Sequence, residues 1–169
     1  MLSSLQIISL FNKLNEELSK QNEIAEVGIV GGAVMCLVFK AREATQDVDA
    51  IFQPADIVRK LVARIGEKNH LPKDWLNDAA KGYIQNNFAR QDVLNLSHLR
   101  VWAPEPKYML AMKCISARWD TNDRDDVIFL IQFLKIKKAK IVFETIENYY
   151  PKKQIPPKTQ FFIEEVLQK

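Results

Sequence analysis

Apolar residues recur at every third or fourth position along much of the chain, which predicts amphipathic helices. The first such segment covers residues 3–20, with the apolar stripe Leu2, Leu5, Ile8, Phe11, Leu14 and Leu18. Residues 33–40 are apolar almost all round and predict a buried helix, and residues 74–82 predict a short one. The periodic spacing predicts further helices at residues 54–69, 104–118, 122–134, 137–149 and 158–167.

Three short stretches do not follow the helical period and read as strands. Residues 25–30 are an apolar run with valine and isoleucine, typical of a buried strand. Residues 47–52 and 95–102 also have strand character. The fold class is therefore α+β, with a small mixed sheet, flanking helices and a helical C-terminal half. We expect a single domain in which residues 104–169 pack on a sheet-bearing core of residues 1–103.

Net charge, cysteine content and hydropathy indicate where the protein is located, but they do not indicate its activity. The chain has 169 residues and a net charge of +3, which allows a polyanionic partner without arguing for one. Cys36 and Cys114 lie far apart among apolar neighbours, so we expect buried, reduced thiols. The first 21 residues carry acids and lysines, unlike a signal peptide, and no apolar stretch approaches membrane-spanning length. We expect a cytoplasmic protein without a membrane partner.

The paired glycines Gly31 and Gly32 join the first predicted strand to the buried helix. Glycines at such a junction let backbone N–H groups approach a phosphate at the start of a helix. They equally permit a tight turn and close packing with no ligand at all. The sequence around them leaves both uses open.

The next predicted strand carries Asp47 and Asp49, which alternation places on one face. Two neighbouring carboxylates repel and raise each other's pKa unless a cation lies between them. Strands also disfavour aspartate. A hard divalent ion, Mg²⁺ or Mn²⁺, is the natural partner. The alternative is a polar strand end, with Asp47 in a turn and Asp49 paired with an arginine.

Gly-Gly, about fifteen residues and then Asp-x-Asp before an apolar strand resembles the nucleotidyltransferase superfamily of the polymerase-beta type. The spacer, with Arg42 and Thr45, is most similar to small bacterial members related to abortive-infection and toxin nucleotidyltransferases. The resemblance implies that the diglycine cradles a triphosphate and that the paired aspartates hold the metal. It implies that Arg42 contacts phosphate and Thr45 shapes the turn; a surface arginine and a cap are the alternatives.

The resemblance also implies an activity and its partners. A nucleoside monophosphate would pass from an NTP to an acceptor hydroxyl on a tRNA, a protein or a small molecule. Toxin members of this kind imply a cognate antitoxin as a partner protein. The alternatives are a catalytically inactive nucleotide- or RNA-binding relative and a protein-interaction module of a toxin–antitoxin pair.

A second polar cluster follows the core strands, and the family group has a comparable Lys…Arg…Asp…Asp signature. The resemblance implies that the lysine reaches the nucleotide phosphates and that the later acids orient it or shape the site. The alternative needs no ligand: the lysine forms an ion pair with the last acid, which neutralises both buried charges, and the first acid caps a helix. The residues concerned are Lys113, Arg118, Asp123 and Asp126.

The chain departs from the superfamily pattern at the third predicted strand, where many members carry a third carboxylate. Residues 95–102 contain no acid, and Glu105 just beyond them is a weak substitute. His98 on this strand reads more readily as an ordinary histidine than as a base. Asn77 and Asp78 either line the site opposite the metal or are polar residues at a helix end.

Overall fold

The computed structural model describes residues 1–117 and 122–168, which form two compact units. The first, the sheet unit, combines Met1–Gly82 with Arg90–Pro104. The second, the helical unit, combines Tyr83–Ala89 with Glu105–Lys169. The expected packing of residues 104–169 on the core as one domain stays a prediction.

The sheet unit contains a mixed sheet, which confirms the α+β class. Within the described residues, its five strands run in the order β5-β4-β2-β7-β6. The pairs β4–β5 and β2–β7 are parallel, whereas β2–β4 and β6–β7 are antiparallel. A separate antiparallel pair joins β1 to β3. The strands are β1 (Leu2–Ser3), β2 (Ala25–Ile29), β3 (Ala44–Thr45), β4 (Val48–Gln53), β5 (Leu76–Asn77), β6 (Arg90–Asn95) and β7 (Leu99–Pro104).

The strand registers show which residues share each face of this sheet. Val27 pairs in register with both Phe52 and Val101, and all three side chains are buried. Directly paired residues share a face, and the next residue along each strand lies on the other one. The opposite face therefore carries the registered residues Gly28, Ile51 and Trp102, and by alternation Asp49.

The helices of the sheet unit are α1 (Ser4–Lys20), α2 (Gly31–Leu37) and α3 (Ala55–Lys68). Ser3 caps α1 in a capping box with Gln6. The predicted helix at residues 3–20 is confirmed, but Leu5 is 80% exposed. The buried stripe is instead Ile7, Leu10, Phe11, Leu14 and Leu18.

The described residues of the helical unit form α4 (Pro106–Ser116), α5 (Asp123–Phe133), α6 (Ala139–Tyr149) and α7 (Pro157–Leu167), each close to a predicted segment. Tyrosine hydroxyls tie residues 83–89 to these helices. Tyr150 donates to the carbonyl of Tyr83 over 2.7 Å, and the backbone N–H of Gln85 donates to the Tyr108 hydroxyl over 2.7 Å. No described helix is long and apolar enough to span a membrane.

Two segments differ from the sequence-based expectation. The predicted helix at residues 74–82 is wrong, because its backbone pairs with β4 and continues into a 3-10 helix at Ala79–Tyr83. Trp75 is 1% exposed, and its indole N–H donates to the carbonyl of Val62 over 3.0 Å. Residues 95–102 contain the turn between β6 and β7 rather than one strand. The apolar signal of β6 was too weak to predict it, because this edge strand is largely exposed.

Candidate active site

The start of helix α2 lies directly against the carboxylate of Asp49. The backbone N–H of Val30 donates to the carbonyl of Asp49 over 2.9 Å, which aligns the end of β2 with the start of β4. Gly31 has φ +62°, and a Cβ there would lie 3.2 Å from Oδ2 of Asp49. Glycine is favoured at this position both by the left-handed backbone and by the close approach of the aspartate.

Gly32 is enclosed by the two spacer residues that the resemblance singled out. A Cβ at Gly32 would lie 2.5 Å from Oγ1 of Thr45 and 3.3 Å from Nη1 of Arg42. Thr45 is 5% exposed and belongs to β3, which pairs with β1 at the N-terminus. The fold therefore brings Arg42 and Thr45 together with both glycines and Asp49.

Asp47 immediately precedes β4 and contacts a residue from the edge strand. Its Oδ2 accepts a hydrogen bond of 3.1 Å from Nδ2 of Asn77. Asn77 in turn pairs in register with Asp49 across the parallel β4–β5 ladder. At this edge of the sheet, Asn77 therefore contacts Asp47 through its side chain and pairs with Asp49 through the backbone ladder. Sequence reasoning named Asn77 as a candidate but placed it in a helix, because a two-residue strand has no recognisable period.

Asp78, the other polar residue considered for this region, is engaged elsewhere. Its Oδ2 accepts a hydrogen bond of 2.7 Å from Nη2 of Arg59 on α3. That hydrogen bond, with the charge of the guanidinium, lowers the pKa of Asp78 below its ordinary value of 3.8. Of the adjacent pair, only Asn77 is seen to contact a predicted site residue.

Asp47 and Asp49 are the carboxylates from which a metal site was predicted here. No group of three His, Cys, Asp or Glu residues suited to a metal occurs among the described residues. A closed structural site for zinc needs such a set, whereas Mg²⁺ often takes one or two carboxylates and completes its shell with water and phosphate oxygens. The residues present fit Mg²⁺ or Mn²⁺ in the company of a phosphate.

Glu105, the substitute considered for the missing third carboxylate, and His98, considered as a base, both have other contacts. β7 reads LRVWAP and carries no acid. Glu105 Oε1 accepts hydrogen bonds from the Tyr149 hydroxyl over 2.8 Å and from the N–H of Ala89 over 3.0 Å. Burial and this carboxylate both raise the pKa of Tyr149. The backbone N–H of His98 donates to Oδ1 of Asn15, and its ring Nδ1 lies 3.0 Å from Oγ of Ser97.

Lys113 forms a buried charge cluster within the helical unit. Its Nζ lies 2.5 Å from Oδ1 of Asp123 and 2.8 Å from Oδ2 of Asp126. The Lys113 side chain is 9% exposed and that of Asp126 is 2% exposed. The ion pair that the sequence offered as an alternative to phosphate binding is therefore present. Arg118, the remaining member of the signature, lies outside the described residues.

A glycine-opened helix beside paired aspartates on a small mixed sheet is the arrangement of a nucleotidyltransferase-like α+β protein. The chain belongs to the family described as a nucleotidyltransferase of unknown function (DUF6036), which matches residues 5–155. That range contains every site residue predicted from the sequence, and the match confirms the superfamily. No curated protein and no solved structure matches the chain.

Proposed function

We propose that this protein is a Mg²⁺-dependent nucleotidyltransferase that transfers a nucleoside monophosphate from an NTP to an acceptor hydroxyl. The observation that carries the proposal is the approach of Gly31 to Asp49. This approach places the start of α2, whose backbone N–H groups would bind phosphate, beside the carboxylate that would hold the metal ion. The family match supports the same class of activity.

Asp47 and Asp49 would hold Mg²⁺ or Mn²⁺. The ion would neutralise charge on the triphosphate and lower the pKa of the acceptor hydroxyl. Gly31 and Gly32 would offer backbone N–H groups to phosphate at the start of α2. Arg42 lies beside Gly32, where its guanidinium would contact a phosphate oxygen. Buried Thr45 would support the turn that places Arg42 there.

The resemblance to nucleotidyltransferases also implies a role for the charge cluster around Lys113. Lys113 would balance charge on the leaving pyrophosphate, and Asp123 and Asp126 would hold the ammonium in place. Their short ion pairs support the orienting role of the acids. Arg118 completes the signature in the sequence, and its contact with the nucleotide is part of the same proposal.

The proposal also covers the acceptor molecule and the biological setting. A tRNA, a protein hydroxyl and a small molecule are the acceptor classes that the resemblance implies. The Arg42–Thr45 spacer supports a place among abortive-infection and toxin nucleotidyltransferases, with a cognate antitoxin as partner.

The test is a label-transfer assay with each α-labelled NTP, Mg²⁺, and bulk tRNA or bulk protein as acceptor. We expect transfer by the unaltered chain and a loss of about 100-fold or more in Asp49→Asn, because an amide is a far weaker ligand for Mg²⁺. Asp56→Asn is the matched control, since Asp56 is an exposed aspartate on α3 that forms an ion pair with Arg59 one turn away. Equal transfer by Asp49→Asn and the unaltered chain would contradict the proposal.

A second candidate is an NTP-binding relative that has lost catalysis, and the acid-free strand β7 favours it. It predicts Mg²⁺-dependent binding of an NTP that Asp49→Asn weakens, with no transfer to any acceptor. A protein-interaction module would instead keep the same metal and nucleotide affinity in Asp47→Asn and Asp49→Asn.

A further inference from the structure

Strand β5 is two residues long, yet it is firmly anchored. Its partner β4 pairs Val48 with Leu76, and the backbone N–H of Val48 donates to the carbonyl of Trp75 over 2.8 Å. Trp75 and Leu76 are both at least 98% buried. The Trp75 ring also meets Phe11 of α1 edge-on at 6.3 Å. This packing holds the residue that follows, Asn77, beside β4.

The orientation of the Asn77 amide is determined by its second hydrogen bond. The backbone N–H of Ala79 donates to Oδ1 of Asn77 over 2.9 Å. A backbone N–H only donates, so the atom it contacts is the amide oxygen. The amide nitrogen therefore points to Asp47, and Nδ2 donates to the carboxylate over 3.1 Å.

The Asn77 amide acts as a hydrogen-bond partner that orients a metal-binding carboxylate without binding the metal itself. It engages one of the two oxygens of Asp47 and restricts rotation of the carboxylate, so the other oxygen keeps a defined direction. An aspartate at position 77 would accept the Ala79 N–H equally well, but it would turn a second negative oxygen toward Asp47. The amide supplies a donor at this position without adding negative charge beside two aspartates.

We propose that Asn77 is a positioning residue that orients Asp47 for metal binding. The inference rests on the proposed function, because it assumes that Asp47 is a metal ligand. It assigns Asn77 a role through Asp47 and no contact with substrate.

The test uses the full chain and Mn²⁺ alone, with bound metal followed by electron paramagnetic resonance. We expect Asn77→Ala to weaken Mn²⁺ binding about tenfold, the size typical for loss of an outer partner. Asn77→Ser should weaken it similarly, since a serine hydroxyl still accepts from Ala79 but is too short to reach Asp47. Asp78→Asn, which breaks the neighbouring Arg59 ion pair, is the matched control and should bind Mn²⁺ as the unaltered chain does.

A double-variant cycle separates positioning from a general structural effect. In an Asp47→Asn background, Asn77→Ala should cause no further loss of affinity, because the carboxylate that it orients is gone. Circular dichroism and the thermal midpoint check that each variant is folded. Unchanged affinity in Asn77→Ala, or an equal loss in both backgrounds, would overturn the inference alone. Mn²⁺ binding that Asp47→Asn and Asp49→Asn leave intact would overturn the proposed metal site as well.

Discussion

A Cβ on Gly31 would lie 3.2 Å from Oδ2 of Asp49, so the first residue of α2 and the first acid within β4 face each other at close range. The two residues are 18 positions apart in the chain, and the pairing of β2 with β4 brings them together. The position tolerates only glycine without strain. Because the left-handed backbone and the nearby Asp49 both constrain Gly31, a substitution there tests the geometry of the site.

Gly31→Ala should destabilise the protein by about 1–2 kcal/mol, because alanine strains a left-handed backbone and its methyl crowds Asp49. Urea unfolding followed by circular dichroism measures the loss. Gly82→Ala is the matched control, since a Cβ there meets nothing within 4 Å. A loss in Gly31→Ala no larger than that in Gly82→Ala would show that Gly31 is not so constrained.

Gly32→Ala should also destabilise, by about 1–3 kcal/mol, because the new methyl overlaps Oγ1 of buried Thr45. Thr45→Ala removes that oxygen and should recover part of the loss when combined with Gly32→Ala. The free energies of unfolding of the two single variants and the double variant form a cycle, and we expect coupling of about 1 kcal/mol. Strictly additive effects would place Thr45 away from Gly32.

Lys113→Met should cost about 3–5 kcal/mol at neutral pH, because it leaves the buried carboxylate of Asp126 and the nearby one of Asp123 without their cation. Urea unfolding at pH 7 measures the loss. Lys140→Met is the control, as its pair with Glu144 is exposed and should be worth less than about 1 kcal/mol.

Glu17 on α1 makes the free energy of unfolding depend on pH. Its hydrogen bond from Lys20, with the nearby charges of Lys20 and Lys68, lowers its pKa below the ordinary value of 4.5. Because the folded pKa is the lower one, this stabilisation is present above pH 4.5 and is lost as the pH falls through the folded pKa. The Glu17 carboxylate also links α1 to α3, because it forms ion pairs with Arg64 and Lys68.

Glu17→Gln should therefore be slightly less stable than the unaltered chain at pH 7, and the difference should vanish in strong acid. Urea unfolding across this pH range measures the difference. Glu144→Gln on α6, which loses an exposed ion pair, serves for comparison. A stability difference for Glu17→Gln that persists at the lowest pH would show that lost packing, rather than charge, causes it.

Much of the fold was predictable because helices are local. The spacing of apolar residues located α1, α3 and the four helices of the helical unit to within a few residues. The buried stripe of α1 was displaced toward Ile7 and Leu10, because the burial of each apolar position depends on what packs against it. The short strands were less predictable: β6 is a largely exposed edge strand, and β5 was mistaken for part of a helix.

The sequence by itself determined the α+β class, the diglycine at the start of a helix, and the paired aspartates at the start of a strand. These features depend on neighbours within one turn or one strand. Only the tertiary structure decided that Gly31 faces Asp49, that Gly32 meets Thr45 and Arg42, and that the Asn77 amide reaches Asp47. Such contacts follow from strand register and from the packing of distant residues such as Trp75, which no local pattern records.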